Sequence, residues 1–307
     1  MHLHFLGTGA GSPSKQRNVS SVALDLSAER GEIWLFDCGE ATQHTILRTR
    51  IRPGKIAKIF ITHLHGDHLF GLPGLVGSRS FLGGDTPLEI YGPAGIRRFI
   101  ETALEVSDSR IGYPLSVTEL AESGTAFDDG RFRADYRSLD HRVQSYGFRI
   151  TEAGRPGSLD TQALAAAGIA PGPQYGVLKQ GGSIRLPDGR TVCGADYLSP
   201  PQPGRSVALF GDTRYVSEHA AFCRNADVLV HEATFGAGEE ELAERYGHST
   251  AAQAAALARD AQVCRLILTH ISARHNGNTE ALLSAAQAVF PETALAEDLS
   301  EFPVPFP

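Results

Sequence analysis

Long apolar runs are absent from this 307-residue sequence. No stretch reaches the ~18–20 consecutive apolar residues that a membrane-spanning helix needs. The first residues, Met1-His2-Leu3-His4, also lack the basic and apolar regions of a signal peptide. We therefore expect a protein that crosses no membrane and stays in the cytoplasm.

Cysteine is scarce and follows no recognisable spacing. The chain has four cysteines, which lie far apart and form no C-x-x-C pair. This pattern is typical of reduced, structural thiols and does not indicate a disulfide framework or a cysteine zinc clip. The four residues are Cys38, Cys193, Cys223 and Cys264.

Positive charge is also in short supply, because 28 Lys and Arg residues face 35 Asp and Glu, for a net charge of −7. A net negative charge argues weakly against a nucleic-acid partner, but the distribution of charge matters more than its sum. The segment from Arg48 to Lys58 contains five cations and no acidic residue. Such a segment is either a solvated surface or a region that attracts an anionic partner, and the sequence leaves both open.

The apolar content, 42% of residues, is sufficient for a large core. Strand-like and helix-like segments alternate, which predicts α/β layering in a single domain over residues 1–307. The predicted helices include Glu40–Arg50 and an alanine-rich helix after His248, with Ser249 as its N-cap.

Composition changes between Glu152 and Arg190, where proline and glycine turn signals recur. Too few apolar residues recur in this stretch to build a core of its own. We therefore predict that residues 152–190 form a protruding arm or a long functional loop inserted into the domain.

The richest segment for chemistry is Thr62–His68, which directly follows the apolar run Ile56–Ile61. The run is short and rich in β-branched residues, so it predicts a buried strand that ends where the histidines begin. Three imidazoles and one carboxylate within six residues suit first-row metal ions such as zinc. Reactive groups gather at such strand ends, and we therefore predict a metal site here.

Three more candidate ligands, His141, Asp212 and His270, follow other predicted strands. Together with the candidate ligands of Thr62–His68 they make five imidazoles and two carboxylates, which is the number of ligands expected for two ions that share one residue. A carboxylate can bridge, which nominates Asp212. Two metal ions suit hydrolysis of a phosphate ester, although lactams, lactones and thioesters are also substrates of such sites.

The pattern His63-x-His65-x-Asp67-His68, with His141, Asp212 and His270, resembles the signature of the metallo-β-lactamase superfamily. Further segments are similar to those of the ribonuclease Z family, the tRNA 3′-processing endonucleases, in its short bacterial form. The resemblance covers essentially the whole chain in order. Its segments are Gly7–Asn18, Asp67–Leu75, Pro171–Gly176, Phe210–Arg214, His231–Phe235, His248–Thr250 and Thr269–Arg274.

This resemblance implies an αββα sandwich with a flexible arm at residues 152–190, usually assembled as a homodimer. It also implies two zinc ions per chain, with manganese, cobalt or magnesium as substitutes. Asp212 would bridge the two ions. The other ligands would be His63, His65 and His141 for one ion and Asp67, His68 and His270 for the second.

The implied reaction cuts precursor tRNA just after the discriminator base and leaves a 3′-hydroxyl on the tRNA. Asp67 and His248 would be catalytic, with His248 as the proton donor. Because His248 precedes a predicted helix, we expect the helix dipole to lower its pKa. The arm would grip the tRNA elbow, and the implied substrate contacts are Lys15, Arg17, Arg274, Pro171, Gly172 and Pro173.

Two other functions stay open at this point. The first is a different two-zinc hydrolase that acts on a small phosphodiester, a lactone or an arylsulfate. The arm argues against it, because a small substrate has no need of a projection of that length. The second is a non-catalytic RNA-binding protein, which the complete ligand set argues against.

Overall fold

The computed structural model describes residues 1–306, and these form two compact units. The larger unit comprises Met1–Thr151 and Ser206–Pro305, and the smaller comprises Glu152–Arg205 together with Phe306. All seven predicted metal ligands belong to the larger unit.

Residues 1–306 form sixteen strands. They are β1 (His2–Gly7), β2 (Ser21–Leu26), β3 (Glu32–Phe36), β4 (Ile56–Phe60), β5 (Leu88–Gly92), β6 (Leu115–Glu119), β7 (Ser123–Asp128), β8 (Phe132–Leu139), β9 (Ser145–Glu152), β10 (Ser183–Arg185), β11 (Thr191–Cys193), β12 (Ser206–Phe210), β13 (Val228–Glu232), β14 (Leu266–Thr269), β15 (Thr293–Leu295) and β16 (Glu301–Pro303).

The same residues form ten α-helices, and within residues 1–306 none is long and apolar enough to cross a bilayer. They are α1 (Thr42–Ile46), α2 (Gly66–Leu69), α3 (Leu72–Phe81), α4 (Ile96–Val106), α5 (Thr161–Ala166), α6 (Gln174–Lys179), α7 (Ala220–Cys223), α8 (Glu240–Tyr246), α9 (Ala251–Asp260) and α10 (Thr279–Gln287).

Two seven-stranded sheets make up the larger unit. The first has the order β16-β1-β2-β3-β4-β5-β6, and its strands β3 to β6 run parallel. The second has the order β15-β14-β13-β12-β9-β8-β7, and its strands β12 to β15 run parallel. Because parallel strands end at the same edge of a sheet, each sheet offers one edge where several loops meet.

The two sheets pack face to face through a shared core of aromatic and aliphatic side chains. Phe60 of β4 and Phe148 of β9 touch across this core, with ring centroids 5.2 Å apart. Helices α1, α3 and α4 cover the outer face of the first sheet. Helices α7, α9 and α10 cover the outer face of the second. This confirms the predicted αββα sandwich.

The predicted helix Glu40–Arg50 is wrong in length, because α1 spans only Thr42–Ile46. The Thr49 hydroxyl donates to the Ile46 carbonyl at 2.8 Å and accepts from the Ile51 amide at 3.0 Å. These side-chain bonds satisfy backbone groups outside a helix and so end it.

The N-cap of α9 is also not the predicted residue, because Thr250 rather than Ser249 caps the helix. The Thr250 hydroxyl accepts from the Gln253 amide, and the Gln253 side chain accepts from the Thr250 amide. These reciprocal bonds form a capping box. The Ser249 hydroxyl donates instead to the Thr213 carbonyl at 2.8 Å, so a tertiary contact removes it from capping.

The smaller unit has a core of its own, contrary to the expectation from composition. Its buried residues are Leu164, Ile169, Leu178 and Val192. The returning segment beyond residue 190 belongs to the same unit, because bridges join Arg155 to Gln202 and Leu159 to Leu198. The apolar residues of this core are too widely spaced along the chain for a local pattern to reveal them.

Candidate metal centre

The loops after strands β3, β4, β8, β12, β13 and β14 bring reactive groups to one edge of the sandwich. His63 and His68 are buried, and so are Asp212 and His270. The backbone of His270 has a φ of 56°, a left-handed conformation that is uncommon for a residue with a side chain. Such local strain is typical of functional sites.

The first ligand group consists of His63, His65 and His141. The Nε2 atom of His63 lies 3.1 Å from Nδ1 of His65, and Nε2 of His141 lies 3.4 Å from the same Nδ1. Three ring nitrogens therefore converge on one point.

The second ligand group consists of Asp67, His68 and His270. The Nε2 atoms of His68 and His270 are 3.2 Å apart. Oδ2 of Asp67 lies 3.4 Å from Nε2 of His270 and 3.6 Å from Nε2 of His68. Two nitrogens and one carboxylate oxygen therefore converge on a second point.

Asp212 lies between the two groups and faces both. Its Oδ2 is 3.6 Å from Nε2 of His63, in the first group, and 3.4 Å from Nε2 of His270, in the second. Its Oδ1 is 3.6 Å from Nε2 of His68, in the second group. A carboxylate in this position could contact ions in both groups.

The spacing of these atoms fits metal ions. Nitrogen ligands bound tetrahedrally at ~2.0–2.1 Å from a zinc ion lie about 3.3 Å from one another. The spacings of 3.1–3.6 Å within the two groups bracket that value. Imidazole and carboxylate are also the donors that first-row divalent ions take.

Each of four ligand histidines has its second ring nitrogen held by another group, as is usual for metal-binding histidines. This orientation directs Nε2 toward the ligand groups. The partners of the Nδ1 atoms are Thr62 Oγ1 for His63 (3.0 Å), Asp37 Oδ2 for His68 (2.7 Å), the Gly247 carbonyl for His141 (2.6 Å) and Thr234 Oγ1 for His270 (2.9 Å).

Position 247, whose carbonyl contacts His141, has no room for a side chain. Its φ of 82° is left-handed, and a Cβ atom there would lie 2.9 Å from Nδ1 of His141. A residue with a side chain would therefore strain the backbone and push the ligand histidine out of place.

Asp37 is a site residue that the sequence did not reveal. Its carboxylate accepts hydrogen bonds from the Thr62 amide (2.7 Å), the Thr62 hydroxyl (2.8 Å) and Nδ1 of His68 (2.7 Å). Asp37 follows β3, the parallel neighbour of β4, so its position at a strand end is the signal that could have identified it.

His248 contacts a buried acid, Glu232, through Nδ1 at 2.9 Å from Oε1. Burial opposes the charge of His248, but the Glu232 carboxylate outweighs burial and raises the pKa of His248 to about 9. The predicted lowering of this pKa by the helix dipole is therefore wrong. Thr234 joins the arrangement, since its hydroxyl lies 2.6 Å from Oε2 of Glu232 and 2.9 Å from Nδ1 of His270.

Burial and nearby carboxylates also have opposite effects on the pKa of His68. Burial would lower its pKa, but Asp212 and Asp37 outweigh it and raise the pKa of His68 to about 10. The carboxylates of the centre therefore favour positive charge at this position. A divalent cation would satisfy the same demand.

The residues predicted to touch substrate occupy different environments. Lys15 and Arg274 are exposed, and Arg274 pairs with Glu239 at 3.3 Å. Pro171, Gly172 and Pro173 belong to the smaller unit, where they directly precede α6.

The prediction that Arg17 contacts substrate needs correction, because the residue is only 5% exposed. Its guanidinium donates to Oγ1 of Thr8 and to the carbonyl of Ala296, both at 2.6 Å. Arg17 therefore supports the loop that contains Gly7, Gly9 and Gly11 from its buried side. The same loop reaches the metal ligands, because the Gly11 amide donates to Oδ2 of Asp67 at 2.7 Å.

Two family models match parts of the chain. Residues 1–112 match the model described as Anti-Pycsar protein Apyc1, and residues 190–271 match the model described as Beta-lactamase superfamily domain.

Curated relatives match the chain over its whole length. A protein of Limosilactobacillus fermentum named Ribonuclease Z is 55% identical over 307 residues, which are 100% of this chain and 99% of that protein. A protein of the same name from Geobacillus kaustophilus is 56% identical and covers 99% of both chains. Among solved structures, the short form of human tRNase Z matches with a TM-score of 0.73 at 32% identity and covers 100% of both chains.

Proposed function

This chain belongs to the ribonuclease Z family, and from that premise we propose that it is a zinc-dependent endoribonuclease that processes the 3′ end of tRNA. It cuts precursor tRNA directly after the discriminator base. The tRNA product ends in a 3′-hydroxyl, and the released trailer carries a 5′-phosphate.

The observation that carries this proposal is the position of Asp212 between two ligand groups. The first group offers three nitrogens, and the second offers two nitrogens and an oxygen. Because the Asp212 carboxylate lies within 3.6 Å of histidines from both groups, every ion would have four protein ligands. Such a pair of sites is suited to hydrolysis of a phosphodiester.

Two zinc ions bound there would lower the pKa of water and neutralise charge on the phosphoryl oxygens. The protein's own contribution is to hold the ligands rigidly. Asp37, Thr62 and Thr234 fix the rings of the ligand histidines, so little reorganisation accompanies the reaction.

His248 is the proposed proton donor to the leaving group. Water attacks the phosphorus atom, the bond from phosphorus to the 3′-oxygen breaks, and that oxygen takes a proton. Because Nδ1 of His248 is engaged by Glu232, Nε2 is the ring nitrogen that remains for the substrate. The Glu232 carboxylate keeps the ring protonated before cleavage and stabilises its orientation.

The substrate-facing groups are proposed to lie on two elements. Lys15 is exposed on the loop whose Gly11 contacts Asp67, so it is placed to meet a phosphate near the cut. The smaller unit carries the exposed cations Lys179 and Arg185 and a cavity of about 630 Å³ beside Arg155. We assign this unit the role of the arm, which is to bind the tRNA at a distance from the bond that is cut.

A homodimer is the proposed assembly. Large apolar side chains are exposed on neighbouring parts of the larger unit, where α1 contacts α3 and α3 contacts α4. Leu47 is 69% exposed, Phe70 64% and Phe81 89%. Exposed apolar side chains in one region are typical of a protein interface.

Replacement of Asp212 by alanine tests the proposal. We expect the variant to lose hydrolysis of both precursor tRNA and a small chromogenic phosphodiester, because the bridging ligand positions both ions. Bound zinc, measured by elemental analysis, should fall toward one ion or none per chain. Two retained ions with near-normal turnover would contradict the bridging assignment.

A further inference from the structure

A second pocket lies on the outer face of the first sheet, away from the metal centre. It has a volume of about 260 Å³. Its floor is formed by His4, Ile33 and Ile51, and Arg50, Arg52 and Lys55 stand around it. Ile33 is the second residue of β3, the strand that ends beside Asp37, so four residues, or about 13 Å along the strand, separate Ile33 from Asp37 near the metal centre.

The positive charges of this pocket are not neutralised within the protein. Among residues 1–306, the side chains of Arg50, Arg52 and Lys55 have no hydrogen-bond or ion-pair partner, and all three residues are exposed. The nearby carboxylate of Asp25 is already engaged, because its Oδ1 accepts from the Ser27 amide at 2.7 Å. The lining therefore carries three cations and one carboxylate, and a second carboxylate, that of Glu301, lies beside His4.

His4 supplies an independent sign that the pocket takes a polar ligand. The residue is only 8% exposed, yet within residues 1–306 neither ring nitrogen has a hydrogen-bond partner. Oδ2 of Asp25 is 3.6 Å from Nε2, and Oε1 of Glu301 is 3.2 Å from Nδ1, without hydrogen-bond alignment. Buried polar atoms usually have hydrogen-bond partners, and each His4 nitrogen has only a poorly aligned carboxylate near it, so the ring remains able to hydrogen-bond a ligand.

We propose that this pocket binds a phosphate group of an RNA strand, several nucleotides away from the bond that is cut. Guanidinium groups bind phosphate oxygens through paired, charge-assisted hydrogen bonds, and lysine adds a third positive charge. The apolar floor provides room for the attached ribose. The RNA as source rests on the proposed function, whereas the phosphate chemistry rests on the pocket alone.

The binding test uses the zinc-loaded, full-length protein and follows the backbone amides of Ser27, Gly31 and Lys55 by NMR. Inorganic phosphate and 5′-AMP are titrated separately. The pocket variant replaces Arg50, Arg52 and Lys55 by alanine. A matched control replaces the exposed residues Arg110, Arg131 and Arg224 by alanine, so it loses the same charge outside the pocket.

We expect saturable shifts of these amides in the wild type and in the control, with affinity at least about tenfold weaker in the pocket variant. A wild type without saturable shifts there, or a pocket variant that binds as tightly as the control, would overturn the proposal. Because the readout is local, phosphate bound at the metal centre does not affect it.

Cleavage kinetics then identify the source of the phosphate. For precursor tRNA, we expect the pocket variant to raise KM about tenfold with kcat unchanged. The slope of log K against log salt should fall by about 0.7–0.9, which is the value for one lost phosphate contact. An unchanged KM with lost phosphate binding would reject RNA and support a free nucleotide. If the wild type cuts no precursor tRNA, the proposed function fails, and the amide titration still decides the pocket.

Discussion

Replacement of Asp37 by asparagine should weaken one metal site more than the other. The carboxylate accepts three hydrogen bonds, two from Thr62 and one from Nδ1 of His68. Asparagine has the same shape but only one acceptor oxygen. If that oxygen stays with Thr62, its NH2 group faces His68, and Nδ1 must become the acceptor. The proton of a neutral His68 then moves to Nε2, the atom that faces the second ligand group.

The size of the effect follows from this single contact. A hydrogen bond to a charged group contributes ~1.5–3 kcal/mol. Loss of a group that orients a metal ligand typically costs 10–100-fold in metal affinity. We therefore expect the zinc affinity of the second ligand group, Asp67, His68 and His270, to fall about 10–100-fold. The affinity of the first group, His63, His65 and His141, should fall less, because Asp37 reaches His63 only through the Thr62 hydroxyl.

The assay is a competitive titration of the metal-free protein with zinc and a fluorescent chelator, which resolves two binding steps. The matched control is Asp227→Asn, because Asp227 is also a buried acid that accepts from a backbone amide, that of Ser206 at 2.6 Å. It lies at the start of β13 and contacts none of the ligands. Equal weakening of both steps, or the same change in the control, would refute the orienting role of Asp37.

Three further changes test other parts of the site. His248→Ala should lower turnover of precursor tRNA by ~10²–10⁴-fold with both zinc ions bound. It should affect a nitrophenyl phosphodiester much less, because that leaving group needs no proton. Equal losses on the two substrates would assign His248 a positioning role. Replacing residues 154–203 by a short glycine linker should abolish productive tRNA cleavage and spare the small phosphodiester, whereas equal loss in a folded, zinc-loaded protein would indicate a structural role. Lys15→Ala should raise KM for precursor tRNA and leave the melting temperature unchanged, whereas Arg17→Ala, which breaks two buried hydrogen bonds, should lower the melting temperature; unfolding curves distinguish the two.

The layered fold and the positions of the ligands were accessible from sequence because both depend on local pattern. His63, Asp212 and His270 could be placed at strand ends, since a short apolar run followed by a polar loop indicates where a buried strand stops. Parallel strands then end at a common edge, so these residues were expected to converge. The structure places Oδ2 of Asp212 3.6 Å from Nε2 of His63 and 3.4 Å from Nε2 of His270.

The errors arose where tertiary contacts decide between equivalent choices. Ser249 and Thr250 have the same capping chemistry, and only the contact of Ser249 with the Thr213 carbonyl leaves Thr250 as the cap. Arg17 and Lys15 share a loop, but the direction of each side chain depends on Thr8 and Ala296, which a local pattern does not reveal.

The residues that hydrogen-bond the histidines of the centre could not be identified from sequence for a similar reason. A lone Asp37 or Glu232 after a strand has no distinctive spacing, and its role depends on the imidazole that it reaches. The pKa of His248 depends on that same buried acid, so a rule based only on its position before a helix gave the wrong direction.

The most direct test of the account is to map both ends of the cut. The purified, zinc-loaded protein is incubated with precursor tRNA labelled at its 5′ end or in its trailer, and the products are sized against a nucleotide ladder and treated with phosphatase. We predict a tRNA that ends at the discriminator base with a 3′-hydroxyl and a trailer with a removable 5′-phosphate. A tRNA ending in a 3′-phosphate, a cut at another position, or no zinc-dependent cut would contradict it.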